Sequence, residues 1–149
     1  MPLVLDCSIS LSWFFPGEKT AFTEAALDLV ALEECWVPAV WRLEFPNALL
    51  VAERRRRLSR EERHQVLDDA ARLRLRIDAA VPELRTISDL AERHGLSTYD
   101  AAYLELAARQ GASLITLDKE LAAAAASAGI PVHAPGRTSG AQMRQRYNI

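Results

Sequence analysis

Apolar and polar positions along the chain alternate between two signatures, short unbroken apolar runs and longer stretches at helical spacing. Leu3 to Leu5 is a short apolar run that ends at Asp6, as expected for a buried strand. Ser8 can cap a helix through Ile9, Leu11, Trp13 and Phe14 that stops at Pro16-Gly17. Ala21, Phe22, Ala25, Ala26, Leu29 and Val30 line one side of a second helix. Cys35 to Val37 reads as a strand ended by Pro38.

A long helix follows with Trp41, Phe45, Ala48, Leu49 and Ala52 on its apolar side, and Arg54 to Arg57 close it, where cations suit the helix dipole. Ser59 and Glu62 form a capping box for a helix through Val66, Leu67, Ala70 and Leu73, so the pair predicts a helical hairpin. A strand is expected around Ile77, then a helix from Pro82-Glu83 to Gly95. Ser97 caps the next helix and Gly111 ends it. Leu114 to Leu117 is a buried strand stopping at Asp118, Lys119 to Ala128 an alanine-rich helix, and Ile130 to His133 a last strand.

Strands alternating with helices predict an α/β fold, a three-layer sandwich with a central parallel sheet flanked by helices, plus the hairpin. In such a sheet the C-terminal ends of strands and the N-terminal ends of the following helices share one edge. The helix from Ser97 runs about 21 Å away from that edge and the strand to Asp118 returns about 16 Å. Asp6, Glu44, Asp100 and Asp118 therefore all fall on it, where open α/β sheets bind ligands.

Composition adds bounds. The chain has 149 residues, half of them hydrophobic, and a formal net charge of -2. One domain is expected over residues 1–135, followed by a loose basic tail over 136–149 that carries Arg137, Arg144 and Arg146 and no acid. The charge balance gives no global attraction for nucleic acid, so such a role must rest on local patches. Cys7 and Cys35 make no disulfide framework, and His64, His94 and His133 show no zinc-ligand spacing. The N-terminus shows neither a basic leader nor a membrane-length apolar run, so a cytoplasmic protein is expected.

Each acid alone has an ordinary explanation as a helix-capping, turn or solvated residue. Four converging carboxylates repel one another and call for raised pKa values or a cation. Hard divalent ions such as Mg²⁺ or Mn²⁺ take oxygen ligands, activate water and neutralise charge on a phosphoryl group. Thr116 lies two residues before Asp118, so on a strand both would point to one face.

Asp6-Cys7-Ser8 after the first strand, Glu44-x-x-Asn47, Tyr99-Asp100-Ala101-Ala102-Tyr103 and Thr116-x-Asp118 together resemble the PIN domain. Their order and spacing are most similar to the VapC toxins of bacterial toxin–antitoxin pairs. The resemblance covers nearly the whole chain. It implies a Mg²⁺- or Mn²⁺-dependent endoribonuclease, a cognate VapB-like antitoxin that blocks the active site, and a homodimer. By the same resemblance Asp6, Glu44, Asp100 and Asp118 are the metal-site and catalytic acids, with Ser8, Asn47 and Thr116 in support. The densest basic stretch, Arg54, Arg55, Arg56 and Arg57, suits phosphate contacts, an antitoxin surface or plain solvent. Three other readings stand beside the toxin: an RNA-processing nuclease of the same family, a non-catalytic scaffold, and a phosphorylation receiver domain. The last usually pairs two adjacent acids after its first strand, where this chain has Asp6 followed by Cys7.

Overall fold

The structure is a computed structural model describing residues 1–149. Five parallel strands, β1 (Leu3–Leu5), β2 (Cys35–Pro38), β3 (Leu75–Asp78), β4 (Ser113–Ile115) and β5 (Val132–His133), form one sheet in the order β3-β2-β1-β4-β5. The register pairs Leu3 with Cys35 and Leu5 with Ile115. β1 and β4 are buried throughout and wholly apolar but for Ser113, as parallel strands covered on both faces must be.

Eight helices cover the sheet: α1 (Cys7–Ser12), α2 (Ala21–Leu32), α3 (Trp41–Arg54), α4 (Arg60–Ala70), α5 (Leu84–His94), α6 (Thr98–Gln110), α7 (Lys119–Ser127) and α8 (Gly140–Tyr147). From β1 the chain steps outward to β2 and β3, then returns to β4 beside β1 and steps to β5 on the other side. Right-handed crossovers in opposite directions place their helices on opposite faces. Accordingly α1 to α4 pack in one group with α8, and α5, α6 and α7 in another. The reversal of direction lies between β1 and β4, the place where open α/β sheets form a crevice at their C-terminal ends.

Local signals explain most boundaries. Ser59 and Glu62 close the expected capping box, and α3 and α4 pack as the expected hairpin. Ser97 caps α6, which ends at Gly111 in the left-handed region at φ 60°. A side chain there would be strained, which is why glycine stops this helix.

Five expectations differ from the structure. α1 starts straight out of β1, so Asp6 rather than Ser8 holds the N-cap position, and the helix stops at Ser12 short of Phe14. α4 ends at Ala70, leaving Leu73 outside it. Only Arg54 lies in the last turn of α3; Arg55 is its C-cap, and Arg56 makes the turn at φ 60°. β4 ends at Ile115, the chain bends at Leu117, and Asp118 becomes the N-cap of α7.

The fifth difference concerns residues 136–149, which are not a loose tail. Ser139 and Gln142 form a capping box that starts α8. Met143 is fully buried in the main core, and Arg144 pairs with Asp28 of α2 at 2.6 Å. Tyr147 closes edge-on against His133.

Candidate active site

The crevice between β1 and β4 is built from the backbone outward. The Asp6 amide donates to Ile115 O at 2.9 Å, which holds Asp6 directly beyond the end of β1. Its side chain is buried, and Oδ2 accepts from Ser8 Oγ at 2.5 Å and Thr116 Oγ1 at 2.8 Å. Those hydroxyls also accept: Leu117 N–H donates to Ser8 Oγ at 3.2 Å, and Asp118 N–H to Thr116 Oγ1 at 2.9 Å. Ser8 and Thr116 thus staple the β4–α7 turn to Asp6. Oδ1 of Asp6 accepts from no protein donor.

Asp118 uses Oδ1 to cap α7, accepting from Glu120 N–H at 2.8 Å and Leu121 N–H at 3.1 Å. Asp100 sits in the first turn of α6, its amide held by Ser97 Oγ. Glu44 lies in the first turn of α3, and Oε1 accepts from Tyr103 Oη at 2.7 Å. Tyr103 is itself fully buried. Its role was visible only as part of the Tyr-Asp-Ala-Ala-Tyr motif, since a sequence shows that a tyrosine is near a helix start but not which acid it reaches. Asn47 is exposed one turn beyond Glu44. Asp78, at the end of β3, is also buried on this edge, but Arg109 neutralises it in an ion pair at 2.5 Å.

The acids repel one another through the crevice. Burial pushes the Asp6 carboxyl above its ordinary range; the Ser8 and Thr116 hydroxyls oppose this, and the Asp100 and Asp118 charges add to it. Burial raises Glu44 as well, against the Tyr103 hydrogen bond and with the charges of Asp6 and Asp100. Asp100 rises through burial and the neighbouring Asp118 charge. Burial likewise pushes the Cys7 thiol up, so it stays protonated and is no nucleophile.

A hard dication fits this donor set. All four groups offer carboxylate oxygens, Asp6 keeps one oxygen without a donor, and burial together with neighbouring acid charges raises the pKa of Asp6, Glu44 and Asp100, a cost that a cation would relieve. No three acids close to the spacing of a dedicated ligand cage. That openness suits an ion such as Mg²⁺, which keeps several waters and uses one or two direct carboxylates.

The PIN domain profile matches residues 3–127. The chain belongs to the PIN-domain family. It is 31% identical over 124 residues to Ribonuclease VapC3 of Pyrobaculum aerophilum, spanning 82% of this chain and 93% of that protein. Among solved structures, PAE2754 of P. aerophilum superposes with a TM-score of 0.65 at 22% identity, over 83% of this chain and 87% of the other. VapBC2 of Rickettsia felis, bound to a DNA fragment from its promoter, gives 0.66 at 16% identity over 90% and 98%. FitAcB of Neisseria gonorrhoeae gives 0.63 at 17% over 87% and 95%. These superpositions establish the PIN fold of the chain. No helix is long and apolar enough to cross a membrane.

The charge crowding makes a checkable statement. An acid whose folded pKa is raised binds more protons in the native state than in the unfolded state. Its effect on stability is therefore unfavourable, and grows as pH rises from the ordinary carboxylate pKa through the raised one. Asn at position 6 keeps an oxygen to accept from Ser8 and Thr116 but carries no charge. With chelator present, Asp6→Asn is expected to melt above the wild type at pH 7.5. The gap should close as pH falls toward about 4, the unperturbed carboxylate value. A gap that is absent, or that widens on acidification, would contradict the crowded cluster.

Proposed function

We propose that the protein is a metal-dependent endoribonuclease that hydrolyses RNA phosphodiester bonds, acting as a toxin held in check by a VapB-like antitoxin in the cytoplasm. The observation that supports the reading is the mutual electrostatic influence of Asp6, Glu44, Asp100 and Asp118 at the C-terminal edge of the sheet, with Asp6 held by two hydroxyls. The relationship to Ribonuclease VapC3 supports RNA as substrate. In this reading Asp6, Asp100, Asp118 and Glu44 would hold Mg²⁺ or Mn²⁺, with one or two of them as direct ligands. When bound, such an ion would supply an activated water and offset charge on the phosphodiester oxygens. Ser8 and Thr116 hold Asp6 in a single rotamer, Tyr103 holds Glu44, and Asn47 lies beside Glu44 to meet substrate or solvent. Fixed donors and charges of this kind stabilise a transition state without reorganising as it forms.

The direct test incubates purified protein with an RNA panel in Mg²⁺, in Mn²⁺ and in chelator. Cleavage that needs the metal and stops in Asp6→Asn supports the reading; full activity in excess chelator sinks it. Co-purification with the product of an adjacent small DNA-binding gene would support the toxin role over a general RNA-processing one. Exposed Leu43, Val81 and Leu84 supply apolar surface for an antitoxin or a second copy, and light scattering with and without the partner reads out the homodimer.

The basic stretch divides. Arg57 is paired with Glu18 at 3.0 Å and lies over the Phe15 ring, so it serves the fold. Arg54, Arg55 and Arg56 are exposed and form no ion pair, and Arg54 stands about 15 Å along α3 from Glu44. In this reading they would meet RNA away from the cleaved bond. Replacing Arg55 and Arg56 with Ala should lower the salt-dependence slope of RNA binding by about 0.7 for each phosphate that is no longer neutralised. An unchanged slope would leave this surface to a protein partner or solvent.

A further inference from the structure

A pocket of ≈ 380 Å³ lies beside the acid crevice, lined by Leu117, Lys119, Ala122 and the loop Ala134, Pro135, Gly136 and Arg137. Its location follows from the topology. The loop leaves the C-terminal end of β5, the neighbour of β4, so it stands on the same edge as the acids, one inter-strand step of about 4.8 Å beyond the β4–α7 turn. Leu117, in its wall, donates to Ser8 Oγ, the same hydroxyl that holds Asp6.

The chemistry of the lining is one-sided. Lys119 and Arg137 are exposed cations without an ion-pair partner, and no carboxylate lines the pocket. The loop is pinned rather than slack. Arg137 N–H and Thr138 N–H both donate to Ala134 O, at 3.0 and 2.9 Å, and Thr138 Oγ1 lies 3.3 Å from Nδ1 of buried His133. Gly136, at φ 83°, makes the turn and leaves space open above it. Four carboxylates in the crevice exceed the charge of one dication, so a polyanion entering it still meets net repulsion. Cations next to the crevice can offset this, which charge elsewhere on the chain cannot do locally.

We propose that this pocket binds a backbone phosphate of the RNA strand next to the phosphodiester presented to the acids, with Lys119 and Arg137 as its cationic partners. The assignment rests on the ribonuclease reading and adds to it a direction. The strand crosses the C-terminal edge of the sheet from the β1–β4 crevice toward β5. Arg137 lies outside residues 3–127, so this half of the pocket belongs to the part of the chain that α8 anchors.

The test uses the full chain and a labelled single-stranded RNA from the cleavage panel. Affinity is measured in an Asp100→Asn background, with and without Lys119→Ala plus Arg137→Ala, across a salt series. The double replacement should raise Kd about tenfold or more and lower the log–log salt slope by about 0.7, one phosphate's worth. Lys119→Arg with Arg137→Lys should restore both values. Arg74→Ala removes a cation at the opposite edge, before β3, and should change neither. A methylphosphonate at the bound position should weaken wild-type binding and erase the effect of the double replacement. Unaltered affinity in the double variant, or an equal drop from Arg74→Ala, overturns the pocket while wild-type cleavage still upholds the ribonuclease. A wild-type protein that neither binds nor cleaves RNA overturns both.

Discussion

Asp100→Asn is expected to lower single-turnover RNA cleavage by about 10²–10³-fold or more, on the scale of losing one preorganised charge-stabilising group, in a protein that remains folded. The structure separates the two roles of this residue. Helix capping at α6 belongs to Ser97, whose hydroxyl accepts the Asp100 amide hydrogen, and that bond is untouched by the substitution. Losing a first-turn charge costs about 0.3–1 kcal/mol, and relief of repulsion with Asp118 acts the other way. Thermal melting should therefore move little. RNA affinity should persist or rise, because the crevice loses a negative charge facing the phosphates. Cleavage, binding and melting measured on the same preparation decide the matter. A folded Asp100→Asn protein that cleaves at the wild-type rate would remove Asp100 from the chemistry.

Gly140→Ala should cost about 1–3 kcal/mol of stability, the usual range for overpacking, and about 3–10 °C in Tm for a chain of this size. Gly140 is the first residue of α8, and a Cβ there would stand 2.5 Å from Ala21 O and 2.8 Å from Ala21 C. Both are backbone atoms at the start of α2, so no side chain can swing aside. The helices must part, and Met143 would leave the core it fills. Met143→Ala probes the same packing without a clash and should cost about 2–5 kcal/mol. Normal melting of both variants would mean that α8 contributes nothing to the folded core, contrary to its packing on α2.

The receiver-domain reading fails on the family relationship, but it had a physical weakness already. The residue after Asp6 is Cys7, whose thiol is buried beside the acids, so no second acid supports Asp6 from the next position. The scaffold reading is separated from the nuclease by activity: a folded protein with its acid set intact that cleaves no RNA in Mg²⁺ or Mn²⁺ would favour it.

Much of the architecture is dictated locally. Buried parallel strands require unbroken apolar runs, and Leu3–Leu5 supplies one; Ser59-x-x-Glu62 and Ser97 mark helix starts because their side chains satisfy free amides two or three residues on; Gly111 marks a stop because only glycine is at ease at its φ. Alternation of these elements implies the parallel sheet, and the sheet implies that Asp6, Glu44, Asp100 and Asp118 share an edge. What the sequence could not determine is whatever depends on partners remote in the chain. Ser8 looked like a cap, yet it reaches back to Asp6 and across to Leu117, 109 positions away. Thr116 and Asp118 looked like one face of a strand, yet β4 ends at Ile115 and Asp118 caps α7. Tyr103 meets Glu44 across 59 positions. The segment 136–149 carries few apolar positions and reads as a tail, and only the groove beside α2 makes Met143 a core residue and α8 a helix. Local propensity selects elements because its interactions span a few residues. The hydroxyl staples, the pinned 134–138 loop and the docking of α8 exist only once the sheet has brought distant segments together.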